Sequence, residues 1–148
     1  MRGIARAWNA PRIRADAQRT ALAWPNVSTI TIVEDDGSVI VAVSRLLEAA
    51  GFDTRCFTSA GALLSDHDAY QADCLVLDVH LPDMTGFELQ RRLAAAGSTT
   101  PVVVITAHDD PMHRRAAREI GAFAYLIKPF SSLSLVDAVT RAAAGSQR

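Results

Sequence analysis

Six polar residues stand where apolar runs end. The run Val27–Val33 is followed at once by Glu34, Asp35 and Asp36, and Cys74-Leu75-Val76-Leu77 leads straight into Asp78. Pro101–Ile105 ends in Thr106, and Ala124-Tyr125-Leu126-Ile127 ends in Lys128. Carboxylates gathered in one place repel each other unless a cation compensates. A hard divalent cation with oxygen ligands suits them, and Mg²⁺ suits a site of a few carboxylates completed by water. Cation, carboxylate, hydroxyl and ammonium together are the parts for phosphoryl transfer. In that chemistry Asp78 is the nucleophile and yields an acyl phosphate. The cation and Lys128 neutralise the phosphoryl oxygens, and Thr106 donates a hydrogen bond to one of them.

Each residue also has an ordinary explanation. Asp78 can simply open a loop, and Asp35 can cap a helix. Thr106 can be a β-branched strand end, and Lys128 a solvated loop lysine. The agreement of all four at equivalent strand ends favours a shared site. An FMN phosphate is a poor occupant, because it needs backbone donors after the first strand where this chain has three acids.

The elements that must bring these residues together are legible from periodicity and punctuation. Strands are expected at 27–33, 52–57, 73–79, 101–106 and 122–127, separated by helices. Ser38 is expected to cap a helix to about Ala50, with Val39, Val43, Leu46, Leu47 and Ala50 on one face and Gly51 as its stop. Thr58 or Ser59 caps a second helix, read as far as about Asp68. Thr85 opens a third helix, which Gly97 closes. Asp109-Asp110-Pro111 starts a fourth, which Gly121 closes, and Ser131 or Ser132 starts a fifth. Strands alternating with helices imply an α/β fold with a parallel sheet covered on both faces. The expected class is a doubly wound five-stranded sheet of order 2-1-3-4-5 with five helices, a flavodoxin-like arrangement whose ligands gather at the carboxyl ends of the strands.

The 148 residues fit one domain with a short appendage. Formal charge divides unevenly along the chain. Residues 1–26 carry five arginines against Asp16, whereas the remainder is acidic, and the whole sums to −1. A basic, flexible extension over 1–26, a domain over 27–144 and a tail over 145–148 are expected, and no broad nucleic-acid surface. No apolar stretch reaches the roughly 18 residues needed to span a bilayer. Cys56 and Cys74 lack metal or redox spacing and read as small core residues of a cytoplasmic protein.

The segments Val33-Glu34-Asp35-Asp36, Leu77–Gly86, Val104-Ile105-Thr106-Ala107 and Tyr125–Phe130 resemble the receiver domain of two-component response regulators. The resemblance covers about residues 27–144, and Phe87–Leu93 is most similar to regulators of the FixJ type. It implies that Asp78 is the phosphoacceptor and that Mg²⁺ is bound by Asp35, Asp78, the backbone carbonyl of His80 and, through water, Glu34. It implies that Thr106, Ala107 and Lys128 bind the phosphoryl group, that Tyr125 takes part in switching, and that the bond before Pro129 is cis. His80 and His108 fall at the two variable positions flanking the site.

The family receives its phosphoryl group from a sensor histidine kinase or phosphotransfer protein. It then alters a surface built from the fourth helix, fifth strand and fifth helix, in some members with dimerisation. FixJ-type regulators continue into a DNA-binding domain. With the chain ending at Arg148, a free-standing receiver without direct DNA binding is expected, acting on a separate downstream protein, unless the chain is a fragment of a transcriptional regulator. Two further alternatives are a receiver that works without phosphorylation and a phosphatase of the haloacid-dehalogenase class. The phosphatase wants a second acid two residues after its nucleophile, and here that position is His80.

Overall fold

A computed structural model describes residues 27–146 apart from positions 67, 69 and 70. The basic leader and the last two residues of the tail lie outside the described residues. The elements in chain order are β1 (Thr29–Val33), α1 (Gly37–Ala49), β2 (Asp53–Phe57), α2 (Ala60–Leu64), β3 (Cys74–Asp78), α3 (Gly86–Ala95), β4 (Val102–Thr106), α4 (Pro111–Glu119), β5 (Ala124–Ile127) and α5 (Ser132–Ser146). The sheet order is β2-β1-β3-β4-β5, with every pairing parallel. This is the order expected from the alternation of strands and helices.

Side chains alternate across the sheet and build two apolar layers. Ile30, Ile32, Cys74, Val76, Val103 and Ile105 pack against α1 and α5 through Val43, Leu47, Leu135 and Val139. Val33, Leu75, Leu77, Val102 and Val104 pack with Leu63, Phe87, Leu89, Leu93 and Ala117 of α2, α3 and α4. β3 and β4 are buried at every position. Their continuous apolar runs are therefore what a strand enclosed on both faces requires.

Helix ends follow from local chemistry, with two departures from expectation. The cap of α1 is Asp36, not Ser38: its carboxylate accepts from the Ser38 and Val39 backbone N–H groups and from the Ser38 hydroxyl. The carboxylate spans two orphan donors from two positions earlier, and Ser38 becomes its partner. Helix α2 stops at Leu64, short of Asp68. Asp66 there accepts from the Arg55 guanidinium and from the Asp68 N–H, which turns the chain away from the helix. Cys56 is exposed while Cys74 is buried. β2 is an edge strand with no fully buried position, so Cys56 does not join the core. Burial pushes the Cys74 thiol up to about 12, which makes it an unreactive core group.

Candidate functional site

The register sets the depth of each polar residue. Val33 pairs with Leu77, Leu77 with Val104, and Val104 with Tyr125. One residue further on, Glu34 and Asp78 are therefore level and adjacent at the carboxyl edge. By the same alternation both lie on the α1/α5 side of the sheet, continuing Ile30–Ile32 and Cys74–Val76. Lys128 continues Ala124 and Leu126 on that side.

Oxygens of Glu34, Asp35 and Asp78 lie within 4.8 Å of one another. Glu34 and Asp78 are buried and Asp35 is exposed, so the cluster opens to solvent through Asp35. The Lys128 ammonium donates to Glu34 Oε1 at 2.6 Å and stands 3.6 Å from Asp78 Oδ1. Glu34 Oε2 accepts from the Asp36 N–H at 3.1 Å. Burial, aided by the neighbouring Asp78 charge, raises the Glu34 carboxyl to about 6, against the opposing pull of Lys128 and the Asp36 N–H. The Lys128–Pro129 peptide bond is cis.

These donors fit Mg²⁺ on chemical grounds. They are all hard oxygens, three carboxylates converge, and one of them opens to water. A cation would also remove the electrostatic cost that raises Glu34.

Thr106 is fully buried, but on the other side of the sheet. Its hydroxyl accepts from the His108 N–H at 3.0 Å and donates to the His108 carbonyl at 3.1 Å. It therefore braces the β4–α4 loop, with Ala107 exposed between the two residues. Tyr125 is half-buried against the α2–α4 layer. Its hydroxyl donates to Asp109 Oδ1 at 3.1 Å. Arg114 grips Asp109 with two bonds of 2.8 Å and lies over the Tyr125 ring, 5.4 Å from its centroid. Arg114 holds the Asp109 carboxyl below its ordinary range; burial first, and then the Asp109 bond, raises the Tyr125 hydroxyl. The structure thus joins Glu34, Asp35, Asp78 and Lys128 directly. It ties Thr106 and Tyr125 to the adjoining β4–α4 loop instead. The His80 side chain is exposed, and its backbone forms an isolated bridge with Thr85.

Two supporting residues carry no sequence-derived role. A Cβ on Gly86 would run into the backbone oxygen of Asp78, so only glycine lets α3 start this close to the acidic cluster. The Gly86 N–H also donates to the Val79 carbonyl at 2.9 Å. Asp83 reaches from the β3–α3 loop to the start of α2, accepting from the Ala60 and Gly61 N–H groups at 3.1 and 2.8 Å. The Pro82…Gly86 spacing hinted at a constrained loop, but nothing local identified its partners.

Comparison with known proteins agrees with this geometry. Residues 30–140 match the response regulator receiver domain family. The response regulator protein TmoT of Ectopseudomonas mendocina is 40% identical over 116 residues, covering 78% of this chain and 52% of TmoT. The structure of the response regulator StyR is 40% identical with a TM-score of 0.73, covering 80% of this chain and 60% of StyR. The BeF3-activated receiver domain of DrrB, a Thermotoga maritima protein, is 31% identical with a TM-score of 0.72, covering 79% of this chain and 97% of that domain. The chain spans about half the length of the curated relatives it matches. No helix among the described residues is long and apolar enough to cross a membrane. On the matched segment and on its fold, the chain belongs to the response regulator receiver family of two-component systems.

Proposed function

We propose that Asp78 accepts a phosphoryl group from the phosphohistidine of a sensor kinase or phosphotransfer protein. The observation that carries this reading is the contact set of one buried carboxylate. Asp78 is 4% exposed at the end of a central strand, shares a 4.8 Å cluster with Glu34 and Asp35, and has the Lys128 ammonium 3.6 Å away.

An Asp78 oxygen attacks phosphorus. The phosphorus–nitrogen bond of the donor breaks, its electron pair returns to the imidazole, and an acyl phosphate remains on Asp78. Asp35 and Asp78, with the His80 backbone carbonyl and a water held by Glu34, would hold Mg²⁺. Bound there, Mg²⁺ supplies charge neutralisation for the transferred oxygens. Lys128 orients one of those oxygens, and the Ala107 N–H and Thr106 hydroxyl take another. Thr106 must first leave its bonds to His108, so phosphorylation redraws the β4–α4 loop. Tyr125, anchored to Asp109 of that loop, follows. The α4–β5–α5 face is then the surface a downstream protein, or a second copy of this chain, reads as a population shift. Loss of the phosphoryl group to water restores the carboxylate, so self-catalysed gain and loss are the only chemistry required. The relatives' length leaves the output of the whole protein to be assigned by its partners.

Intact-mass spectrometry after incubation with acetyl phosphate and Mg²⁺ tests the reading. One added phosphoryl mass is expected, abolished by Asp78→Asn and by chelation. An unlabelled wild type, under conditions that label another receiver, would overturn it in favour of an interaction module that works without phosphorylation.

A further inference from the structure

Every residue between Ala107 and α4 is bonded to the first turn of that helix. His113 Nδ1 lies 2.7 Å from the His108 carbonyl oxygen. Arg114 holds the Asp109 carboxylate with two bonds of 2.8 Å. Asp110 accepts from the His113 N–H on its carboxylate at 2.8 Å and from the Arg114 N–H on its carbonyl at 3.1 Å. Three loop residues and α4 thus form one hydrogen-bonded unit, and exposed Ala107 is its joint to β4. Given Asp78 as the phosphoacceptor, on which this inference rests, we propose that His113 is a positioning residue of the switch. It fastens His108, the residue that Thr106 holds, to α4, so that release by Thr106 moves the helix and not the loop alone.

The His108 carbonyl accepts twice, from the Thr106 hydroxyl at 3.1 Å and from His113 at 2.7 Å. A carbonyl only accepts, so His113 Nδ1 carries the proton. When the Thr106 hydroxyl turns to a phosphoryl oxygen, His108 loses both of its bonds to that hydroxyl. Its N–H is within reach of water, because His108 is exposed. Its carbonyl keeps the His113 donor, so no acceptor is stranded and the release costs little. What then holds His108 is α4. Asp109 and Asp110 are bonded to α4 as well, but it is His113 that reaches the direct partner of Thr106.

The ring that makes this link is itself held. His80 meets it edge-on at 5.3 Å and the Phe87 ring of α3 lies 6.0 Å away, leaving the side chain 20% exposed. The backbone N–H of the same residue is tied to the Asp110 cap. A packed side chain bonded at both ends passes on a displacement that a free loop would absorb.

The test uses the full chain with Mg²⁺ and beryllofluoride, which a carboxylate holds as it would a phosphoryl group. Fluorine resonances of the bound group, abolished by Asp78→Asn, report occupancy. The carbon-13 methyl signal of Met112, 79% exposed in the first turn of α4 and assigned by Met112→Leu, reports the helix. In wild type beryllofluoride is expected to bind and to displace the Met112 signal. His113→Phe keeps a ring and removes the donor. Its fluorine resonances should remain while the Met112 displacement shrinks at least ~2-fold. His113→Leu removes the donor with a smaller side chain and should behave alike. His113→Asn, whose amide puts a donor where Nδ1 stood, should restore the displacement. Full displacement in the donorless variants, or none in a wild type that holds beryllofluoride, overturns the proposal alone. A wild type without bound-fluoride resonances overturns the assignment of Asp78, and the proposal with it.

Discussion

Lys128, at the end of β5, donates to Glu34, at the end of β1, across the edges of two intervening strands. The bond is 2.6 Å long and joins residues 94 apart in sequence. It closes the acidic cluster from one side, and Glu34 is 1% exposed while the lysine is one-fifth exposed. Removing the ammonium leaves a buried carboxylate without its countercharge, which costs more than the pair itself contributes. Lys128→Met is therefore expected to cost on the order of 3 kcal/mol in Mg²⁺-free buffer at neutral pH. Adding Glu34→Gln should recover part of the loss. Urea denaturation of the two single variants and the double variant measures it; a strictly additive cycle would show that the pair is not coupled.

The same carboxylate gives stability a pH dependence opposite to that of the surface acids. Glu34 is raised in the folded protein from 4.5 to about 6. The native state then holds a proton that the unfolded chain has released, so stability falls as pH rises through that window. The loss from this group is on the order of 2 kcal/mol, complete above the folded value. Asp36, Asp83, Glu88 and Asp109 are shifted down, so their contributions vanish only as pH falls through the lower carboxylate range. Thermal melts between pH 4.5 and 7 should show a Glu34 decline that Glu34→Gln removes. Mg²⁺ should stabilise more at pH 7 than at pH 5.

How much of this was legible in the sequence differs from residue to residue. β3 and β4 were legible because strands buried on both faces must be apolar throughout. The convergence of Glu34, Asp35, Asp78 and Lys128 followed from strand order alone, since each closes a strand at the same edge. Thr106 closes β4 at the same edge, but its hydrogen bonds were not legible: period-two alternation puts it on the side of Val102 and Val104, where its hydroxyl bonds to His108. Cys56 went astray because enclosure depends on strand order: β2 lies at the edge of the sheet, where Cys56 is exposed. The contacts of Asp83 and Gly86 depend on close approach between loops, which no local pattern encodes.

Gly86 makes a sharp test of that close approach. An added methyl would meet the Asp78 carbonyl oxygen, a backbone atom that cannot turn aside. Gly86→Ala is expected to destabilise by about 1–3 kcal/mol, the usual range for overpacking. It should also slow acetyl-phosphate labelling, because the shift must be absorbed where Asp78 sits. Gly97→Ala, in open space at the end of α3 but with φ of +98°, is the comparison. It should lose stability through backbone strain while labelling at the normal rate. Equal labelling rates in the two variants would disconnect Gly86 from the site.

Asp109, in the β4–α4 loop, and Arg114, in α4, form a latch on Tyr125. Arg114 holds Asp109 with two bonds, and Asp109 holds the Tyr125 hydroxyl. If the latch favours the unphosphorylated arrangement, breaking it shifts population toward the other state without phosphate. Two readouts separate the electrostatic part from the conformational part. In a Tyr70→Phe background, ultraviolet titration reports Tyr125 alone. Its hydroxyl is raised by burial first and by Asp109 second. Asp109→Ala should therefore lower it only in part, while Arg114→Ala, which removes a neighbouring positive charge, should not lower it. Both variants should label faster with acetyl phosphate than wild type, because Thr106 and its loop are released together. Slower or unchanged labelling in both, with the tyrosine titration shifted as described, would mean that the latch holds Tyr125 without governing the site.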